Sequence, residues 1–390
     1  MPENQLQPSP EDAVRQRYSA GAQAREAALC CPIQFDPRHL EVLPEEILER
    51  DYGCGDPTEY VREGDTVLDL GSGGGKVCWI AAQIVGSEGQ VIGVDMNSDM
   101  LALARKHHDT IAQRVGYDNV RYHRAMIQDL RLDLDTLAER LKKRPVSTAE
   151  AWIELRQIED DLRQETPMIA DNSVDVVLSN CVLNLVRPED KQQMIDEIYR
   201  VTKVGGRVAI SDIVSDEDVP LEMQNDADLW SGCISGAYRE DDFLEAFARA
   251  GFHGIEITKR DPEPWQTVGG IEFRSVTVCA YKGKDGPCLE RNQAVIYKGP
   301  FSKVSDDDGH TYYRGERMAV CDKTLKLLGR EPYAGMFEAI EPRVEVPMKE
   351  AGNFDCAVDA RRHPRESKGL EYDATIQSGG EDCCGPTDCC

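Results

Sequence analysis

A doubly wound α/β domain built on a mostly parallel sheet is the fold class this 390-residue sequence predicts, on three observations. Short apolar runs at Thr66–Leu70, Gln90–Val94, Val120–His123, Val174–Ser179 and Arg207–Val214 alternate with stretches of helical period. A glycine-rich turn, Gly71-Ser72-Gly73-Gly74-Gly75, follows the first run directly. An acidic residue, Asp95, closes the second.

Taken in order, residues 1–60 read as an N-terminal helical segment carrying Cys30-Cys31 and ending in Tyr52-Gly53-Cys54-Gly55. The sheet domain spans 61–283. Its first helix is Lys76–Val85, and Asn97 is a side-chain cap for the next, Ser98–Val115. Residues 131–165, rich in Leu, Glu, Arg and Lys, read as a solvated helical insertion between the third and fourth strands. Helix Pro188–Val201 joins strands four and five. Helix Asp241–Ala250 precedes two closing strands, Ile255–Lys259 and Ser275–Tyr281, expected to pair antiparallel. From Gly283 the composition turns to Gly, Asp, Tyr and Pro, with strand-like pieces at Ala294–Tyr297 and His310–Tyr313. A small α+β domain is expected over 284–347, followed by a polar, cysteine-rich tail over 348–390.

Acidic residues outnumber basic ones, 71 to 45, for a net charge of −26. Such a surface repels phosphate backbones, so nucleic acid is not an expected partner. No stretch approaches the roughly 18 apolar residues a spanning helix needs, and the start of the chain lacks a secretory pattern. A cytoplasmic protein without a membrane partner is expected, monomeric by default because nothing resembles a dimerisation helix. Fourteen cysteines without an export signal point to reduced thiols used as ligands or nucleophiles rather than to a disulfide framework.

A glycine turn directly after a strand lets the backbone pass close to a ligand, and Asp95 at the tip of strand two is placed to accept hydrogen bonds from ribose hydroxyls. The dinucleotide fingerprint is not met, since Lys76 stands where its third glycine belongs. The phrase Val67–Gly75 with Asp95 instead resembles the class I S-adenosylmethionine-dependent methyltransferases. That resemblance implies a Rossmann-like sheet with helices on both faces and S-adenosylmethionine as cofactor. It places Asp95 on the ribose, Met96 and Met126-Ile127 beside the adenine, and Gly71 and Gly73 under the methionine portion. Asp69, Ser72 and Asn180 complete the implied cofactor set.

Each of Cys54, Cys181 and Cys233, taken alone, reads as a small core residue. Their settings are Tyr52-Gly53-Cys54-Gly55, Ser179-Asn180-Cys181-Val182-Leu183-Asn184-Leu185 and Asp228-Leu229-Trp230-Ser231-Gly232-Cys233. Together with the glycine turn and Asp190-Lys191, and in this order, these phrases resemble the arsenite methyltransferases. By that resemblance Cys54, Cys181 and Cys233 bind trivalent arsenic from arsenite or methylarsenite, and Cys31 or Cys30 supplies a further redox-active thiol. It also implies a thiol reductant of the thioredoxin or glutathione type. The chemistry is compatible, because a soft trivalent centre prefers thiolates and three sulfurs leave its lone pair exposed as the nucleophile. The thiols must shed their protons to bind, so near-neutral to mildly alkaline pH is expected to favour turnover.

Two departures stand out: Lys76-Val77 occupy the place of the family's Arg-Asp pair, and the 131–165 insertion is longer than usual. Two other readings stay open. One is a methyltransferase acting on another metalloid, a selenol, a thiol or a small metabolite; the other is a thiol protein that sequesters soft metal ions. Cys279, Cys288, Cys321 and Cys356 read as structural, and Cys383-Cys384 with Cys389-Cys390 as either a soft-ion chelate or incidental cysteines.

Overall fold

The structure, a computed structural model, describes residues 10–26, 29, 33, 35–283 and 286–373. The chain divides into two compact units, residues 1–283 and 284–390.

Nine strands of the first unit form one sheet: β1 (Thr66–Leu70), β2 (Gln90–Asp95), β3 (Val120–Arg124), β4 (Val174–Asn180), β5 (Thr202–Ser215), β6 (Tyr238–Arg239), β7 (His253–Arg260), β8 (Gln266–Val268) and β9 (Ile271–Tyr281). The main order is β3-β2-β1-β4-β5-β9-β7, with β6 beside β5 and β8 beside β9. β1 to β5 run parallel. The order reverses between β1 and β4, which opens a crevice at their carboxyl ends where such sheets take ligands. The two closing strands pair antiparallel, and the last in sequence, β9, lies inside, between β5 and β7. The burial pattern explains why: β9 is buried on both faces, whereas β7 exposes Glu256, Lys259 and Arg260 as an edge strand does.

Eleven helices among the described residues of this unit flank the sheet: α1 (Pro10–Gln23), α2 (Pro37–Leu40), α3 (Glu45–Glu49), α4 (Lys76–Val85), α5 (Ser98–Val115), α6 (Leu134–Lys143), α7 (Ala149–Glu165), α8 (Lys191–Val201), α9 (Leu221–Gln224), α10 (Ala227–Ser231) and α11 (Glu240–Ala250). Alternation along the strands feeds two separate cores. Leu68, Val177 and Val208 join Ile195, Ile198 and Phe247 on one face. Val67, Val176 and Ala209 join Trp79, Ile80 and Ile111 on the other. Gly75, at φ 85°, starts α4, and a side chain there would overlap the Tyr122 hydroxyl. Asn97 caps α5, accepting from the backbone N–H groups of Asp99 at 2.9 Å and Met100 at 3.2 Å. The stretch read as one helix from Pro188 begins as a 3-10 turn, Pro188–Asp190, before α8. Residues 131–165 hold α6 and α7, which close a small cluster around Leu132, Leu137 and Leu162 and leave Trp152 55% exposed.

In the second unit, Ala294–Tyr297 lies between Arg317–Ala319 and Phe337–Ile340 in an antiparallel sheet. Val295, Tyr297, Tyr312, Met318, Leu325 and Leu328 form its core. Ordered structure continues past Pro347, through strand Gly352–Asn353 and helix Pro364–Lys368. What anchors this stretch is Arg362, buried and paired with Glu290 at 2.7 Å and Glu366 at 2.8 Å, so hydropathy does not reveal it. Residues 374–390, with Cys383, Cys384, Cys389 and Cys390, lie outside the described residues. Among the described residues no helix is long and apolar enough to cross a membrane.

Beneath the sheet, Arg207 and Asp65 form a buried ion pair, their side chains 6% and 11% exposed, and Arg207 also donates to the Tyr60 carbonyl at 2.7 Å. Removing one partner leaves an uncompensated buried charge. Arg207→Met is expected to lower the unfolding free energy by about 3–5 kcal/mol in urea titrations. Trp152→Glu, on the exposed side of α7, is expected to change it by less than about 0.5 kcal/mol.

Candidate functional site

The crevice at the carboxyl ends of β1, β2 and β4 is a cleft of about 1060 Å³. Asp69, Gly71, Ser72, Gly73, Asp95, Met96, Met126, Ile127 and Asn180, the residues expected to hold a cofactor, all line it. Gly71 and Gly73 take φ values of 70° and 51°. The N–H groups of Gly71 and Ser72 both donate to the Val94 carbonyl, at 2.8 and 3.0 Å, which pins the turn to β2. A side chain at Gly71 would overlap Val182, so glycine is required by close approach as well as by φ. The two Asp95 oxygens accept the N–H groups of Gly73 at 2.9 Å and Asn97 at 2.7 Å. A carboxylate has lone pairs to spare for two ribose hydroxyls beyond these.

The cleft is lined by Arg15, Arg50 and Arg187 as well as by acidic side chains, but its floor at Asp69 and Asp95 is acidic. Burial pushes Asp69 up to about 7, the Cys78 thiol donating to it at 3.1 Å opposes this, and Asp51 and Asp95 add to the rise. Asp95 is raised by burial as well. No lysine or arginine pairs with Asp69 or Asp95 among the described residues. Asp51 does have a cation: Lys76, at 2.8 Å, whose ammonium also sits 4.0 Å over the Phe35 ring. The unusual Lys76 therefore positions an acidic group from another segment at the cleft wall.

Beside the cleft the three cysteines pack into one apolar cluster, although their Sγ atoms do not all lie within 4.8 Å of one another. Cys54 lies in the loop before β1, Cys181 directly after β4, and Cys233 just after α10; all are buried. The Cys181 thiol exchanges hydrogen bonds with those of Cys54 and Cys233. Cys233 Sγ also donates to the Cys181 carbonyl at 3.2 Å, and the Tyr18 hydroxyl of α1 lies 3.8 Å from it. Cys181 lines the cleft as well, so it belongs to both parts of the site. Cys181 and Cys233 have φ of 63° and 61°, a strained region for a side chain with a Cβ.

Polar side chains hold these loops in register. Asn180 Oδ1 accepts the N–H groups of Cys54 at 2.8 Å and Gly55 at 3.1 Å, while its Nδ2 donates to the Gly55 carbonyl at 2.7 Å. Side chains at Gly53 or Gly55 would overlap Asn180 or Ser211, which explains why glycines flank Cys54. Asp212 accepts from the backbone of Val182 at 3.2 Å and Leu183 at 2.9 Å. Asn184 donates to the carbonyls of Ile213 at 2.6 Å and Cys233 at 3.4 Å.

Burial pushes Asp212 up to about 6, against the pull of these backbone donors and of Lys191, itself lowered to about 8 by burial. The Cys233 hydrogen bond alone lowers Cys181, but the bond to Cys54, burial and the Asp212 charge override it and hold the thiol well above its ordinary value. The bond to Cys181, burial and Asp212 raise Cys233 likewise.

Sequence reasoning missed Asp51, Tyr18, Asn184 and Asp212. Asp212 had a visible signal, a carboxylate inside the apolar run Val208–Val214. Cys30 and Cys31 lie outside the described residues. Cys279 packs in the apolar core with Val67 and Ala209.

Known proteins match this arrangement. A methyltransferase-domain family model matches residues 62–141 and 152–251, and a domain of unknown function matches 284–372. An arsenite methyltransferase of Aquipseudomonas alcaligenes is 32% identical over 327 residues, 80% of this chain and 84% of that one. The Homo sapiens arsenite methyltransferase is 29% identical over 91% of this chain and 90% of its own. The crystal structure of an arsenic(III) S-adenosylmethionine methyltransferase from Chlamydomonas reinhardtii aligns with a TM-score of 0.54 and 27% identity, covering 83% of this chain and all of that one. With the class I methyltransferase sheet, the cleft and the three cysteines in place, the chain belongs to the arsenite methyltransferase family.

Proposed function

We propose that this chain transfers a methyl group from S-adenosylmethionine to trivalent arsenic held by Cys54, Cys181 and Cys233, a detoxifying methylation of arsenite. The observation that carries the reading is the packing together of three buried thiols from distant stretches beside a cleft lined by Gly71, Gly73 and Asp95.

The cleft fits the cofactor electrostatically: Asp69 and Asp95, raised by burial and unpaired with any described cation, suit a ligand bearing a sulfonium and an ammonium. Bound there, S-adenosylmethionine supplies an electrophilic methyl group that the arsenic lone pair accepts without a general base. Asp95 holds the ribose, Met96, Met126 and Ile127 face the adenine, and the Gly71–Gly73 backbone passes under the methionine portion.

The raised thiol pKa values change the expected route of substrate entry. Arsenous acid, As(OH)₃, condenses with three protonated thiols, forming three As–S bonds and releasing three waters, each thiol proton leaving with a hydroxide. No net charge is created in a site packed against Ile213, Ile234 and Phe273. The alkaline assistance expected from sequence is then not required. Methylation leaves arsenic oxidised; attack by the Cys31 thiol on one arsenic-bound sulfur forms an S–S bond, returns the As–S electron pair to arsenic and releases a proton. A thiol reductant, one dithiol of the thioredoxin type or two monothiols of the glutathione type, reduces the disulfide and restores the thiols.

Serine in place of any one of Cys54, Cys181 or Cys233 is expected to cut arsenite methylation at least about a hundredfold while S-adenosylmethionine affinity changes less than about twofold. Chromatography of the arsenic species formed and equilibrium binding of the cofactor read the two quantities. An enzyme for organic thiols or selenols would retain activity in at least one of the three variants.

Asp95→Asn is expected to do the reverse, weakening cofactor binding at least about tenfold while arsenite still binds. Arsenite affinity, measured by titration, is expected to be level from neutral pH down to about 6 and to fall below it, as Asp212 protonates and loosens its hold on Val182 and Leu183. Asp212→Asn is expected to remove that inflection.

A further inference from the structure

Three more cysteines converge in the second unit. Cys288, Cys321 and Cys356 bring their Sγ atoms within 4.8 Å of one another. Backbone pairing imposes the encounter. Leu289 and Glu290, just after Cys288, pair with Asn353 and Gly352, just before Cys356, and the Phe354 N–H donates to the Cys288 carbonyl at 2.9 Å. Cys321 precedes helix Asp322–Leu328, its Sγ accepting the Thr324 N–H at 3.4 Å and lying 3.2 Å from the Thr324 hydroxyl. The ion pair between Arg291 and Asp322 fastens that helix beside the Cys288 strand.

Cys288 and Cys356 are only half-buried, and Cys321, though fully buried, stands apart from the main apolar cluster. That cluster, built on Val295, Tyr297, Met318 and Leu328, contains none of them, unlike Cys279 in its own core. The two half-buried thiols make the group reachable from solvent. A shallow depression lined by Cys321, Thr324, Phe354 and Val358 among others lies beside it.

We propose that Cys288, Cys321 and Cys356 form a second thiolate site, separate from the methylation cleft, that binds trivalent arsenic. Three sulfurs around one pyramidal centre at roughly 2.3 Å stand about 3.5 Å apart, so a contraction of at most about 1.3 Å closes the site. No fourth His, Cys, Asp or Glu joins the group among the described residues. Structural zinc takes four protein ligands, whereas a pyramidal trivalent centre takes three and keeps its lone pair free. Burial works against ionisation of Cys288, yet the Cys356 hydrogen bond and the Lys323 ammonium hold it below its ordinary value, while burial and the same hydrogen bond push Cys356 up. The choice of ion rests on the arsenic chemistry proposed above; the convergence of the thiols does not.

The test uses the full chain carrying Cys54→Ser, Cys181→Ser and Cys233→Ser, kept reduced with a phosphine. It is titrated with arsenite, alkylated with iodoacetamide and read cysteine by cysteine by peptide mass spectrometry. One equivalent at the site is expected to slow alkylation of both Cys288 and Cys356 at least about tenfold. Adding Cys288→Ser is expected to abolish the protection of Cys356. Should that variant fail to fold, the paired protection in its parent still decides the matter. Unchanged alkylation, or protection by zinc but not by arsenite at equal concentration, overturns the second site. Loss of arsenite methylation in the unaltered chain is a different result and bears on the first site alone.

Discussion

A single carboxamide, that of Asn180, joins the two halves of the methylation site. It stands at the end of β4, immediately before Cys181, and brackets the Cys54 loop with three hydrogen bonds. At about 0.5–1.5 kcal/mol each, these bonds are of the same order as the strain of the left-handed conformations at Cys181 and Cys233. Asn184 and Asp212 continue the device on the other side, fastening the Cys233 loop and the turn after Cys181 to β5. The backbone of the three cysteine loops is thereby fixed before any substrate arrives, which reduces the ordering cost of binding to the side-chain movement that draws the sulfurs together.

The two halves of the site have opposite electrostatic characters, and each suits its own ligand. Around the glycine turn, buried carboxylates await a cationic group, with Asp51 held at the wall by Lys76. Around the cysteines, apolar side chains and thiols raised above their ordinary pKa suit the neutral oxyacid of the proposed reaction. Cys181 lines the first region and packs within the second, so the proposed methyl transfer would take place at the boundary between them.

Local pattern carried much of this in the sequence. The β1 run, the glycine turn, Asp95 and the Asn97 cap are features of one segment each, and their physics is complete within a few residues. The inner position of β9 was not legible, because pairing order depends on which strand is buried on both faces. Lys76 read as a loss, since nothing nearby shows that it reaches Asp51, 25 residues earlier. The cysteine clamps escaped for the same reason: Asn180, which lines the cleft as a residue expected to hold the cofactor, also fastens the Cys54 backbone through its amide, 126 residues away in sequence. Cys288, Cys321 and Cys356 are gathered by two-residue strands too short for any periodicity to announce.

Anomalous diffraction at the arsenic edge, from crystals of the full chain with S-adenosylhomocysteine and one equivalent of arsenite, addresses the first site most directly. A peak bonded to the Sγ atoms of Cys54, Cys181 and Cys233, facing the cofactor's sulfur, is expected. Arsenic held by fewer than three of these sulfurs, or turned away from the cofactor, would contradict the assignment.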